Sequence, residues 1–194
     1  MYFRSFFRIL DYSFPWNRVV ELFTIDDLYS YGSAVRRSFA LRLAELPYSV
    51  VEKNREASFY TMKNILLHMI DNEDWIVGWV IRGNSQEYVR KKSAEYTAME
   101  MVLRHLDEVE ARTRKYLKTA QETELGRRVD FVLSSGQVFN LSVEDCLFQS
   151  FTEQLYHLGE LIALLWQENV VPPRMQWFWN NPREQGSARP ANAT

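Results

Sequence analysis

The sequence predicts an all-α protein, a four-helix bundle with a small β-hairpin inserted before the last helix. Three observations lead there. Four segments repeat apolar residues at helical spacing behind capping residues, one short segment changes to strand chemistry, and the connections between them are of moderate length. The chain of 194 residues, 46% hydrophobic and 25% charged, has the size and composition of one soluble domain.

The first helix follows Thr24, which precedes Asp27 by three residues as in a capping box. Leu28, Tyr31, Val35 and Phe39 then recur at helical spacing until Pro47 forbids continuation. The second starts at Thr61, carries Ile65, Met69, Asn72, Ile76 and Val80 along one face, and stops at Gly83. The third, read from Ser93 to Lys118, turns Tyr96, Met99, Leu103, Leu106 and Val109 inward and a mixed-charge face outward. In RRVDFVLSSGQVFNLS, β-branched and aromatic residues flank Ser134, Ser135 and Gly136, which predicts the hairpin. Ser142, with Asp145 three residues on, opens the fourth helix, which runs toward Pro172 and Pro173.

The domain is therefore read as residues 1–179, with an N-terminal extension over about 1–23 that packs on the bundle or on a second subunit. Residues 180–194, rich in Pro, Asn, Ala, Ser and Gly, are expected to be disordered, with Trp177, Phe178 and Trp179 anchoring the start of that tail. A formal net charge of −2 and the lack of a basic patch give no reason to expect a nucleic-acid partner. No apolar run approaches the roughly 20 residues that span a bilayer, so no membrane association is expected. Asp11 interrupts the apolar start and no small-residue cleavage site follows, so no signal peptide is expected. The single cysteine, Cys146, excludes an intrachain disulfide framework and fits a reducing compartment, hence a cytoplasmic expectation.

Candidate chemistry lies in FTEQLYHLGELIALLW, where Glu153 and His157 stand four residues apart on one helical face. They border the apolar arc of Leu147, Gln154, Leu158, Leu161 and Leu165. A carboxylate there must be solvated, hydrogen-bonded, paired or bound to a cation. Two residues make an incomplete transition-metal site, so a third ligand is needed. Of the two other histidines, His68 lies on the inward face of the second helix. His105, beside Arg104 and Asp107, reads as a solvated surface residue. His68, Glu153 and His157 are thus the candidate ligands of a divalent ion, with Zn²⁺, Ni²⁺, Mn²⁺, Fe²⁺ and Co²⁺ all compatible. Cys146 is on the same stripe but about two turns away, roughly 10 Å, and reads as a small buried hydrophobe. Trp75, on the helix of His68, is the candidate pocket-lining residue.

Two segments carry a family resemblance. TMKNILLHMIDNEDWIVGWVIRG, with Thr61, His68, Glu73, Trp75 and Gly83, resembles the second-helix signature of DinB/YfiT-like proteins. VFNLSVEDCLFQSFTEQLYHLGELIALLWQENVVPP resembles their hairpin strand and fourth helix, and the likeness spans roughly residues 24–179. In that family three histidines usually hold a divalent metal, one on helix two and two spaced i, i+4 on helix four. His68 and His157 match the first and last, while Glu153 stands where the middle histidine is expected. Leu158 and Glu160 also replace the usual Arg and Gln around Gly159. The resemblance implies a homodimer and a metal-dependent enzyme of the thiol S-transferase or hydrolase type, acting on a small molecule such as a low-molecular-weight thiol. The other reading is a non-catalytic dimeric bundle with a vestigial metal site that binds a small ligand or partner. Its motivation is Glu153 together with six Trp, ten Tyr and twelve Phe, although ordinary core packing also accounts for such aromatics.

Overall fold

The computed structural model describes residues 23–133 and 135–180. Thr24 caps α1 (Ile25–Ala44), its hydroxyl accepting from the Asp27 amide while the Asp27 carboxylate accepts from Thr24. A single turn, α2 (Tyr48–Val51), follows Pro47. Thr61 caps α3 (Met62–Trp75), and after the strand-free stretch that follows comes the long amphipathic α4 (Met99–Thr119). A short α5 (Glu122–Leu125) leads to β1 (Arg128–Val132) and β2 (Val138–Ser142). Ser142 ends β2 and caps α6 (Val143–Gln167) in a second capping box, so strand and helix join without a linker. One more turn, α7 (Trp177–Asn180), closes the described chain.

The four long helices form a bundle in which α1 and α3 each pack against both α4 and α6. The strands pair antiparallel, Phe131 opposite Phe139 and Val129 opposite Leu141, with Gly136 at φ +84° in the turn. Residues of one parity, Val129, Phe131 and Leu141, face the bundle, whereas Arg128, Asp130 and Asn140 bond to one another on the outer face.

Two apolar clusters fill the bundle. One gathers Val35, Phe39, Ile65, Met69, Leu106, Leu161 and their neighbours, and the other gathers Tyr29, Ile76, Val80, Phe131, Cys146 and Phe151. Near the boundary of the two clusters every long helix buries a charged or polar residue: Arg36 on α1, Glu73 on α3, Glu110 on α4 and Gln154 on α6. Arg36 donates to Glu73 at 2.7 Å and to Glu110 at 3.2 Å, and Gln154 donates to Glu73 at 3.0 Å. Arg37 completes the layer from the margin, 2.7 Å from Glu110. A buried carboxylate without such partners is costly.

The sequence expectations are corrected at several points. Helical spacing along the second helix conceals a change of register, because Ile76–Val80 is a π-helical turn in which Ile81 N–H reaches Ile76 C=O. A π turn, like an α turn, keeps residues four apart close together, so Ile76 and Val80 still share a face. The third helix begins at Met99, not Ser93, since Tyr96 and Ala98 are extended and only Ser93–Glu95 makes a 3₁₀ turn. That break buries the Tyr96 ring, and the Lys63 ammonium takes the Ser93 and Tyr96 carbonyls. Val102 is the fully buried residue where Leu103 was expected. Trp177 packs against Phe23 and Tyr31, whereas Phe178 and Trp179 are 72% and 56% exposed, because one helical turn can present only one of three adjacent rings to the bundle. The expected N-terminal extension (about 1–23) and disordered tail (180–194) lie outside the described residues, apart from Phe23 and Asn180.

Removing Arg36 leaves the buried Glu73 carboxylate without its cation and Glu110 with Arg37 at the margin. Arg36→Ala is expected to lower unfolding free energy by about 3–5 kcal/mol, read by urea denaturation against the wild type. A loss below about 1 kcal/mol, the range of a solvated pair, would show that the layer is wet.

Candidate metal centre

His68 projects from the middle of α3 and Glu153 and His157 from successive turns of α6, two helices that pack directly on each other. His68 Nε2 lies 3.1 Å from Glu153 Oε1, and His157 Nε2 lies 3.8 Å from the same oxygen. One donor atom from each of the three falls within 4.8 Å of the others. The structure thus brings together the three residues singled out from the sequence.

Each donor is held by neighbours. His157 Nδ1 stands 3.3 Å from Glu160 Oε2, and Glu160 accepts from the Ser58 amide at 2.9 Å and its hydroxyl at 2.7 Å. A carboxylate beside Nδ1 favours a ring proton on that nitrogen, which leaves Nε2, on the Glu153 side, as the atom to ligate an ion. Burial alone would raise the Glu160 pKa, yet the Ser58 bonds and His157 hold it below the ordinary carboxylate value. Phe59 stacks on His68 at 4.0 Å and meets His157 edge-on at 5.3 Å, fixing both rings. Gln149, one turn before Glu153, donates to its second oxygen at 3.2 Å. The bond from His68 is the main cause that keeps Glu153 below its usual pKa, against the opposing effect of burial. Ser58 and Phe59 sit in a loop that bends through positive φ at Glu56 and Tyr60, two non-glycine residues in a strained conformation at the edge of the cluster.

The donor set suits a divalent cation. Two imidazoles and a carboxylate with bonds of about 2.0–2.2 Å hold ligand atoms roughly 3.3–3.5 Å apart in a tetrahedral arrangement; the two separations from Glu153 Oε1, 3.1 and 3.8 Å, bracket that range, and the full set lies within 4.8 Å. His157 has the outer carboxylate typical of metal-binding imidazoles. His68 differs, because its Nδ1 is buried with no partner among the described residues.

Trp75 lines the cavity that opens beside His68 and Glu153, and its ring meets Phe131 of the hairpin. Cys146 is fully buried in the second apolar cluster, and burial pushes its thiol up to about 11, in keeping with a small hydrophobe. The expectation for His105 is corrected. Its Nδ1 lies 2.7 Å from the Tyr96 hydroxyl and its Nε2 3.9 Å from Asp74, and burial lowers its pKa. The break before Met99 folds Tyr96 back over His105, which periodicity could not foretell. Glu160, Phe59 and Gln149 were not recognised as parts of the site. Gln149 left a signal, since residues 149, 153 and 157 form one i, i+4, i+8 stripe, and so did Glu160, three residues after His157 at a position where the family pattern has Gln.

A helical bundle with paired metal-type donors on its second and fourth long helices is the class of protein that this geometry defines. The family model described as the DinB family matches residues 20–186, and the chain belongs to that family. Among solved structures, a DinB-like protein from Bacillus cereus ATCC 10987 matches with a TM-score of 0.59 over 77% of this chain and 94% of that one. At 12% identity the likeness shows a shared fold. No curated protein matches the sequence. Among the described residues no helix is long and apolar enough to cross a membrane.

The tautomer is directly measurable. Two-bond ¹H–¹⁵N correlation spectra of the metal-free protein at neutral pH are expected to show His157 protonated on Nδ1 and to show a mixture in Glu160→Ala. A dominant Nε2–H form in the wild type would remove Glu160 from its assigned role.

Proposed function

We propose that this DinB-family chain binds one divalent metal ion through His68, Glu153 and His157 and acts as a metal-dependent enzyme of the thiol S-transferase or hydrolase type. The observation that carries the reading is the convergence of the three donor atoms within 4.8 Å, with His157 Nδ1 already tied to Glu160. A bound divalent ion supplies a Lewis acid that polarises a carbonyl or makes a thiol or water more acidic. The chain's own contribution is to hold the two imidazoles in place through Phe59 and Glu160 and to fix Glu153 through Gln149. Trp75 and Phe131 give the cavity beside His68 and Glu153 an apolar wall. Because Glu153 replaces a neutral ligand by an anion, the centre carries one unit less positive charge than three histidines would give it, and a bound water or thiol is less acidified.

A low-molecular-weight thiol as co-substrate and a homodimer belong to the same proposal. Phe148, Tyr156 and Trp166, all more than half exposed on the outer side of α6, supply the apolar surface that self-association would cover. The competing reading of a non-catalytic bundle is favoured by one observation, the His68–Glu153 bond, which satisfies that pair without an ion.

Protein purified without chelator or nickel resin is expected to contain near-stoichiometric metal by elemental analysis. His68→Ala and Glu153→Ala are each expected to lose it with unchanged helix content by circular dichroism. Metal-free wild type that also refuses added Zn²⁺, Mn²⁺, Fe²⁺ and Ni²⁺ would leave the non-catalytic bundle as the reading.

A further inference from the structure

Beside His68 and Glu153 lies a cavity of about 680 Å³, within the size range of small-molecule sites. One side is built by the hairpin. Phe131 and Phe139 are cross-strand partners and so share a face, and Leu141 stands on that face two residues beyond Phe139. Trp75 extends this wall from α3, edge-on to Phe131 at 5.1 Å. Phe139 remains 40% exposed, so a bulky apolar side chain lines the open cavity next to His68 and Glu153 without a described partner ring. Apolar surface in that position gains by being covered.

Charge around the cavity is uneven. Arg90 is the one cation that lines it among the described residues. Its Nε lies 3.3 Å from Asp71 Oδ2, and its side chain is 54% exposed. Arg90 also lines the smaller cleft that approaches His68 from the Phe59 side, so the guanidinium stands where two openings to the donors meet. Asp145 lines the cavity where α6 begins, fixed there by the Ser142 hydroxyl and amide. Glu153 is the second carboxylate lining the cavity, so an anionic group is disfavoured near Asp145 and Glu153 and favoured near Arg90, whose Nε is the atom paired with Asp71, which gives a ligand one orientation.

We propose that this cavity binds an amphipathic organic acid, with an aryl or branched alkyl body against Trp75, Phe131 and Phe139 and its anionic group at Arg90. The inference rests on the metal-centre reading for the site's chemistry and names the class of substrate that the site takes. Guanidinium matches carboxylate geometry with two parallel donors, and a body that covers the hairpin face leaves the donor atoms at its flank. Phe139 and Arg90 then determine specificity without touching the structural core.

Isothermal titration with 3-phenylpropionate, 3-phenylpropanol and propionate separates body from charge. The series is run on wild type, Phe139→Ala, Arg90→Gln and Arg90→Lys, each metal-free and zinc-treated, with thermal melts to verify folding. Phenylpropionate is expected to bind at least about tenfold more tightly than propionate, the order expected for transferring a ring out of water. Phe139→Ala is expected to reduce that ratio, Arg90→Gln to bring phenylpropionate down to phenylpropanol, and Arg90→Lys to restore part of the difference. Equal affinity for propionate and phenylpropionate, no binding of any probe, or indifference to both Phe139→Ala and Arg90→Gln overturns the proposal. Aryl and charge selectivity in protein that takes up no zinc upholds it while removing the metal reading. Zinc uptake without such selectivity does the reverse.

Discussion

The carboxylate of Glu73, wholly buried at the centre of the bundle, is the constraint around which the other helices are arranged. It takes Arg36 from α1 and Gln154 from α6, and Arg36 reaches on to Glu110 of α4. Four helices are thereby tied at one level by groups that cannot be left unpaired in an apolar interior. Buried ion pairs return little net stability, because desolvation offsets most of the attraction. What the layer adds is direction: its hydrogen bonds are met only when each of the four helices turns its polar residue toward the others.

That constraint reaches the candidate metal centre through one peptide unit. Gln154 is the residue after Glu153, so the bond that turns Gln154 toward Glu73 sets Glu153 about 100° around the same helix, facing His68. His157 follows one turn on. On α3 the relation is similar, with His68 five residues before Glu73. The donors thus border a rigid charged layer, and the loop that carries Ser58 and Phe59 closes over them from the side. On the opposite flank the hairpin adds an apolar wall. A site with one rigid side and two covering elements can hold donor geometry while leaving access for a small molecule.

Much of this was legible in the sequence, for local reasons. Thr24, Thr61 and Ser142 announce their helices because capping is a contest between one side chain and nearby amides, and the hairpin follows from strand residues around Gly136. His68, Glu153 and His157 could be named because histidine is scarce and i, i+4 spacing fixes a shared face. What escaped depends on contacts between distant segments. Glu160 matters only because Ser58 orients it 102 residues away in sequence, and Phe59 only because its loop folds over His68. His105 reads as a surface residue beside Arg104 and Asp107, and helical periodicity gives no sign of the extended turn that lays Tyr96, nine positions earlier, on the imidazole. Arg36 and Glu73, charged residues on apolar faces, are single-helix anomalies until the partner helix is in place.

The central claim is that His68, Glu153 and His157 together form the coordination sphere of one ion. X-ray absorption fine structure of the zinc-treated protein tests it most directly. The account expects only nitrogen and oxygen neighbours at about 2.0–2.2 Å, with the outer-shell scattering of two imidazoles and no sulfur, since Cys146 is buried in the other apolar cluster. A sulfur neighbour, or a shell of oxygen atoms without imidazole scattering, would contradict it.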